Sequence, residues 1–88
     1  MNQLQLINGE FEPEEAREVL MNIFTDKIRF HEKKCLSSLV TLSKKDEISE
    51  KRILELKSNI VTLLNLIDSA KDSGKLLKIS SEIKIELV

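Results

Sequence analysis

The sequence predicts a small α+β protein in which a long antiparallel two-helix hairpin, similar to a coiled coil, is combined with short terminal strands. Three observations lead to this prediction. Apolar residues recur at helical spacing through the middle of the chain, with one polar interruption, and apolar and polar residues alternate at both ends. The resulting order is β-α-α-β, and a tight hairpin returns the chain to the end where it began. The terminal strands can therefore pair antiparallel within a single domain, residues 1–88.

Residues 3–8 are predicted as the first strand, because Leu4 and Leu6 alternate with glutamines. The Asn8-Gly9 pair is a turn signal, and we expect the strand to end there. Too few residues separate this pair from Pro13 for a returning strand, so the turn should lead into a helix.

Residues 13–42 are predicted as the first helix. Pro13 suits the first turn, since its missing N–H would have no partner there, and no further proline or glycine follows before the break. A second helix is predicted over residues 47–73. Either Ser43 or Asp46 could cap its start, and Gly74 lies where a left-handed cap would end it.

Residues 76–87 are predicted as the last strand, because the period changes to two after the second helix. The apolar face consists of Leu77, Ile79, Ser81, Ile83, Ile85 and Leu87. The facing residues on the other side are charged or polar, so we expect one face of the strand to be buried.

The second helix is apolar around too much of its circumference for one neighbouring helix to cover. Placed at 100° per residue, its apolar positions span about 240°, against the ~100° of a normal packing face. We therefore predict self-association into a homodimer or higher homo-oligomer, and a protein partner is a further option. The predicted interface residues are Ile53, Leu56, Ile60, Leu63, Leu64 and Ile67. The alternative is that the terminal strands cover both helices and complete a monomer.

His31 and Cys35 are four residues apart and share one side of the first helix, as half a zinc site would. Two side chains do not make a metal site, and no residue is evidently placed to orient the imidazole for a cysteine nucleophile. We expect His31 to be structural, at the helix seam, with a lowered pKa. No metal and no cofactor are predicted, and metal binding through this pair remains an alternative.

Composition restricts the classes of function. The 88 residues carry 14 lysines and arginines against 15 acidic residues, a formal charge of −1, which gives no general basic field for nucleic acid. A DNA-associated regulator remains an alternative only if Lys44, Lys45, Lys51 and Arg52 form one face near the helical tip. No apolar run approaches the ~20 residues of a membrane span, so no membrane association is expected.

No catalytic residues are predicted, because the sequence lacks a glycine-rich phosphate loop, a paired cysteine motif and a serine nucleophile elbow. A single cysteine cannot form an internal disulfide, and the first residues do not resemble a secretory signal, so a cytoplasmic protein is expected. The sequence therefore favours a protein-protein interaction or scaffolding module that self-associates through its helical hairpin and is not an enzyme.

Overall fold

The computed structural model describes residues 2–88, and it confirms the predicted fold class. Strand β1 covers Asn2–Phe11, helix α1 Pro13–Leu42, helix α2 Glu47–Ser73 and strand β2 Leu77–Ile85. The two helices pack against each other as a hairpin, and the two strands pair antiparallel as a ribbon. We call the end where ribbon and hairpin meet the root, and the α1–α2 connection the tip.

The first strand is longer than predicted, because Asn8-Gly9 does not form a turn. Gly9 pairs with Ile79, and the ladder continues to Phe11 opposite Leu77. The turn prediction was wrong because β2 supplies hydrogen-bond partners for this segment, and such a partner outweighs a local turn preference. The last strand is shorter than predicted, since it ends at Ile85, opposite Asn2.

A β-bulge in β1 corrects the phase of its apolar residues. Gln5 pairs with Glu82 and Ile7 with Ser81, which leaves Leu6 without a partner residue in the ladder. Leu4 and Ile7 are three residues apart and would lie on opposite faces of a regular strand. The extra residue brings both to the apolar face, which Ile79 and Ile83 share on β2.

The helix ends are closed by local hydrogen bonds. At the start of α1, the Glu12 backbone N–H donates to Glu15 Oε1 at 3.1 Å. Of the two predicted caps for α2, Asp46 is the one used: its Oδ1 accepts from the Ser49 backbone N–H at 2.9 Å. Ser43 instead ends α1 in the left-handed conformation, with φ of 53°, and Gly74 ends α2 in the same way, with φ of 64°.

The molecule is a thin layer with little interior. Its principal extents are 50 × 31 × 15 Å and its radius of gyration is 16.1 Å, against about 12 Å expected for a compact chain of this length. Among the described residues the buried apolar side chains are Ile7, Ala16, Leu56, Ile67 and Ala70. A 15 Å layer leaves both faces of the helical hairpin close to solvent.

Candidate interaction surface

Polar residues join α1 to α2 near the tip. His31 Nδ1 and Ser49 Oγ are hydrogen-bonded at 3.1 Å, and the Cys35 thiol reaches the Asp46 carbonyl oxygen at 3.9 Å. Ser49 is fully buried and His31 is half-buried, so the imidazole satisfies a hydroxyl that water does not reach. The structure places His31 at the contact between the helices, where its heptad position predicted it, and a purely structural role for this residue stays a prediction.

The surroundings of this contact shift the pKa values of His31 and Cys35. Burial lowers the pKa of His31 below its ordinary value, and the nearby cations Lys27, Lys34 and Arg52 lower it further. Burial raises the pKa of Cys35, and neighbouring carboxylates, Asp46 foremost, raise it further. The arrangement therefore favours a neutral imidazole and a protonated thiol, and a protonated thiol is a poor nucleophile and metal ligand.

The structure gives His31 and Cys35 different partners. The imidazole contacts a hydroxyl on α2 and the thiol contacts a backbone carbonyl before α2. Within residues 2–88, no three histidine, cysteine or acidic side chains are grouped closely enough to hold a metal ion. These two hydrogen bonds hold α1 against the start of α2.

The four basic residues of the alternative DNA-binding face do not share one side of a helix. Arg52 forms an ion pair with Glu55, with 2.9 Å between Nη1 and Oε2. Lys51 and Arg52 are consecutive on α2 and therefore point about 100° apart. Lys44 and Lys45 lie in the exposed connection at the tip.

Phe30 is an exposed aromatic residue that two lysines cover. The ammonium groups of Lys27 and Lys34 lie 5.2 Å and 5.6 Å from its ring centroid, and His31 packs edge-on against it with centroids 5.3 Å apart. Cation–π attraction stabilises such an arrangement at a surface. The lysines that flank His31 in sequence thus keep their charge in solvent and pack over Phe30.

The structure divides the predicted interface residues of α2 into two groups. Leu56 and Ile67 are only 3% and 4% exposed within one chain, so they pack against α1 and offer almost no surface to a second copy. The other four are half-buried and remain partly accessible: Ile53, Ile60, Leu63 and Leu64. Two of the six residues predicted to contact a second copy, Leu56 and Ile67, are therefore buried within one chain.

The apolar residues left most exposed on α2 lie beside that seam. Leu54 and Val61 are 69% and 61% exposed, and they are seven residues apart, so they share one side of the helix. Ile53, Ile60 and Leu64 connect them to the buried line. We call these five residues the α2 flank. The exposed part of this flank could have been predicted from the sequence, because the apolar residues of α2 span more of its circumference than one neighbouring helix can cover.

A second exposed apolar group lies at the tip, and sequence reasoning missed it. We call it the tip cluster; its members are Leu36, Leu39, Val40, Leu42 and Ile48. They are at least half exposed, with Ile48 at 83%. The signal was present in the apolar content of the last two turns of α1, which have no neighbouring strand to pack on.

The root offers a shallow groove in place of an enclosed pocket. Its volume is about 280 Å³, and Glu12, Pro13, Ala70 and Gly74 are among the residues that line it. Across it, Lys71 Nζ and Glu14 Oε1 approach to 3.5 Å. An exposed ion pair of this kind fixes the two helices at the root only weakly.

Comparisons with protein-family models, with curated proteins and with solved structures give no match for this chain. In the part of the chain that the structure describes, neither helix has a segment apolar enough, over sufficient length, to cross a bilayer. Any functional conclusion must therefore come from the surface itself.

Proposed function

We propose that the chain is a self-associating protein-interaction or scaffolding module without catalytic chemistry, and that it acts as a homodimer or a higher homo-oligomer. The observation that carries this proposal is its accessible surface of 7095 Å². A folded monomer of this mass is expected to expose about 5,300 Å². The chain thus exposes roughly 1,800 Å² more than a compact monomer would.

This excess has the size and the chemistry of a protein interface. Obligate homodimers bury about 1,000–2,500 Å² on each subunit, and their interfaces are rich in apolar side chains. The α2 flank and the tip cluster supply such side chains. Domains normally consist of at least two packed layers, and a second copy would add the second layer to a molecule 15 Å thick.

The proposed compartment is the cytoplasm. The single cysteine, Cys35, is a free thiol in the structure. A reducing compartment keeps such a thiol from forming mixed disulfides.

The experiment that tests self-association compares sedimentation of the protein with that of surface variants. Leu54→Gln and Val61→Gln change exposed positions on the α2 flank, while Thr62→Gln changes an exposed residue on another side of the same helix. We expect the unaltered protein and Thr62→Gln to sediment as oligomers at micromolar concentration. The flank variants should shift toward monomer, because a buried amide without a partner is unfavourable.

Monomeric sedimentation of the unaltered protein up to about 100 micromolar would overturn the proposal, because obligate interfaces persist far below that concentration. Oligomers that the flank variants leave intact would place the contact elsewhere, and Leu36→Gln together with Val40→Gln would then test the tip cluster. Circular dichroism of each variant distinguishes dissociation from unfolding.

A further inference from the structure

We infer that the second copy packs antiparallel to the first, so that the tip of each chain lies against the root of its partner. This inference rests on the proposed self-association and adds the orientation of the partner. It is carried by the distribution of charge along the 50 Å axis of the molecule and by the position of its exposed apolar residues.

The charge of the chain is divided along its long axis. The contact between His31 and Ser49 and the ion pair between Glu14 and Lys71 fix which parts of the helices lie side by side, so residues 27–57 form the half nearest the tip. This half has nine basic and five acidic residues, a net charge of +4. The remaining residues, at the root and in the ribbon, have five basic and ten acidic residues, a net charge of −5.

This polarity discriminates between the parallel and the antiparallel packing of one hairpin against another. A parallel pair would place two basic tips together and two acidic roots together. An antiparallel pair places each basic tip against an acidic root, and it does so twice because the two-fold axis repeats the contact. Charge complementarity of this kind selects orientation more than it adds affinity, and like charges placed together are unfavourable.

The exposed apolar residues fit the same arrangement. The tip cluster lies beyond the reach of the ribbon, which meets the helices only near the root. At the root, Met21 is half-buried and lies on the same side of α1 as Leu39, and Leu76 is half exposed. Leu36 and Leu39 are the members of the tip cluster that share a side of α1 with Met21. In an antiparallel pair these two residues of one chain cover the root residues of the other, while the α2 flanks lie between the two ends. The contact is the same surface on both chains, so it closes at two copies.

Charge reversal at each end tests the orientation. One variant is Lys44→Glu with Lys45→Glu at the tip, and the other is Glu18→Lys with Asp72→Lys at the root; all four residues are exposed. Each variant alone should dimerise at least tenfold more weakly at low salt, because the tip half changes from +4 to 0 in the one and the root half from −5 to −1 in the other, so both tip-to-root attractions are largely lost. An equimolar mixture should recover dimers, because each contact of the mixed pair joins a tip and a root that are either both unaltered or both reversed in charge at the substituted positions. The loss should shrink at 0.5 M salt, where screening is stronger.

A parallel dimer gives a different result, because the tip variant lowers the charge of both touching tips from +4 to 0 and so removes a repulsion between them. Dimers that neither single variant weakens would therefore overturn the antiparallel inference and leave self-association standing. A monomeric unaltered protein would remove the proposed function itself. The two failures are thus distinguishable.

A distance measurement provides a second test that does not depend on the stability of the charge variants. A spin label at Glu47→Cys, in a Cys35→Ser background, marks the tip of each chain once. In an antiparallel dimer the two labels should be separated by about 45 Å, the length of a 30-residue helix. A parallel dimer would bring them within roughly 20 Å, about two helix diameters, and that distance would overturn the inference.

Discussion

At the scale of single residues, His31 connects the fold to pH. Its pKa is lowered by burial and by Lys27, Lys34 and Arg52, so the unfolded chain takes up a proton before the folded chain does. The free energy of unfolding should therefore be at its full value above the ordinary pKa of 6.5 and should decrease as the pH falls below it. The decrease should stop once the pH lies below the pKa of the folded state.

His31→Gln tests this dependence, because glutamine can still bond to the Ser49 hydroxyl and does not titrate. Urea unfolding at several pH values between 5 and 8 should show a flatter profile for this variant than for the unaltered protein. His31→Leu should flatten the profile as well, and it should be less stable at every pH because the buried hydroxyl loses its partner. A profile that His31→Gln leaves unchanged would assign the pH dependence to other groups.

The pKa of Asp46 is lowered by its bonds to Ser49, so its stabilising effect is lost only at more acidic pH.

At the scale of elements, the two helices end in the same backbone conformation with different residues. Gly74 adopts φ of 64° without strain, and a Cβ added there would meet no neighbouring atom within 4 Å. Gly74→Ala should therefore cost about 1 kcal/mol through backbone conformation alone. Ser43 adopts φ of 53° with a Cβ already present, so Ser43→Gly should stabilise the protein by up to about 1 kcal/mol.

Chemical denaturation of both variants checks this pair of predictions. Opposite signs at the two caps are expected, and Ser37→Gly, in the interior of α1, should destabilise and serves as the control. A stabilising Gly74→Ala substitution would contradict the left-handed cap.

The architecture was predictable from local patterns, and the extent of the strands was not. Helical periodicity, Pro13 and Gly74 located both helices, because each of these signals acts within a few residues. The continuation of β1 through Gly9 depends on Ile79, about 70 residues further along the chain, and no local pattern contains that pairing. The bulge at Leu6 has the same origin, since it reconciles the apolar pattern of β1 with the apolar face of β2.

The candidate surface was predictable in part. The excess apolar width of α2 correctly indicated more apolar side chains than α1 can cover. Which of them α1 buries depends on the rotation of one helix against the other. Leu56 and Ile67 face α1, whereas Leu54 and Val61 do not. A heptad pattern defines neighbouring positions along a helix but cannot separate an internal seam from an outer one.

At the scale of the whole molecule, stability should depend on protein concentration. A thin layer with few buried side chains gains its second layer by association, so the unfolding temperature should rise as the protein is concentrated. A hundredfold increase in concentration corresponds to about 2.7 kcal/mol, which for a dimer of this size is a shift of roughly 5–10 °C. Differential scanning calorimetry at two concentrations measures this shift, and an unfolding temperature independent of concentration would indicate a monomer that is stable alone.

The bulge at Leu6 also affects the open edge of β1. Within residues 2–88 the ribbon has two strands, so each strand has an open edge onto which another β-strand could add. An unbroken edge of alternating apolar residues is a template for endless stacking of copies. The unpaired residue breaks the regular spacing of hydrogen-bonding groups along β1 and increases the local twist of that strand. A strand from another molecule then cannot pair in register along the whole of β1. We therefore expect the same residue that aligns the apolar face of the ribbon to limit amyloid-like growth at one of its edges.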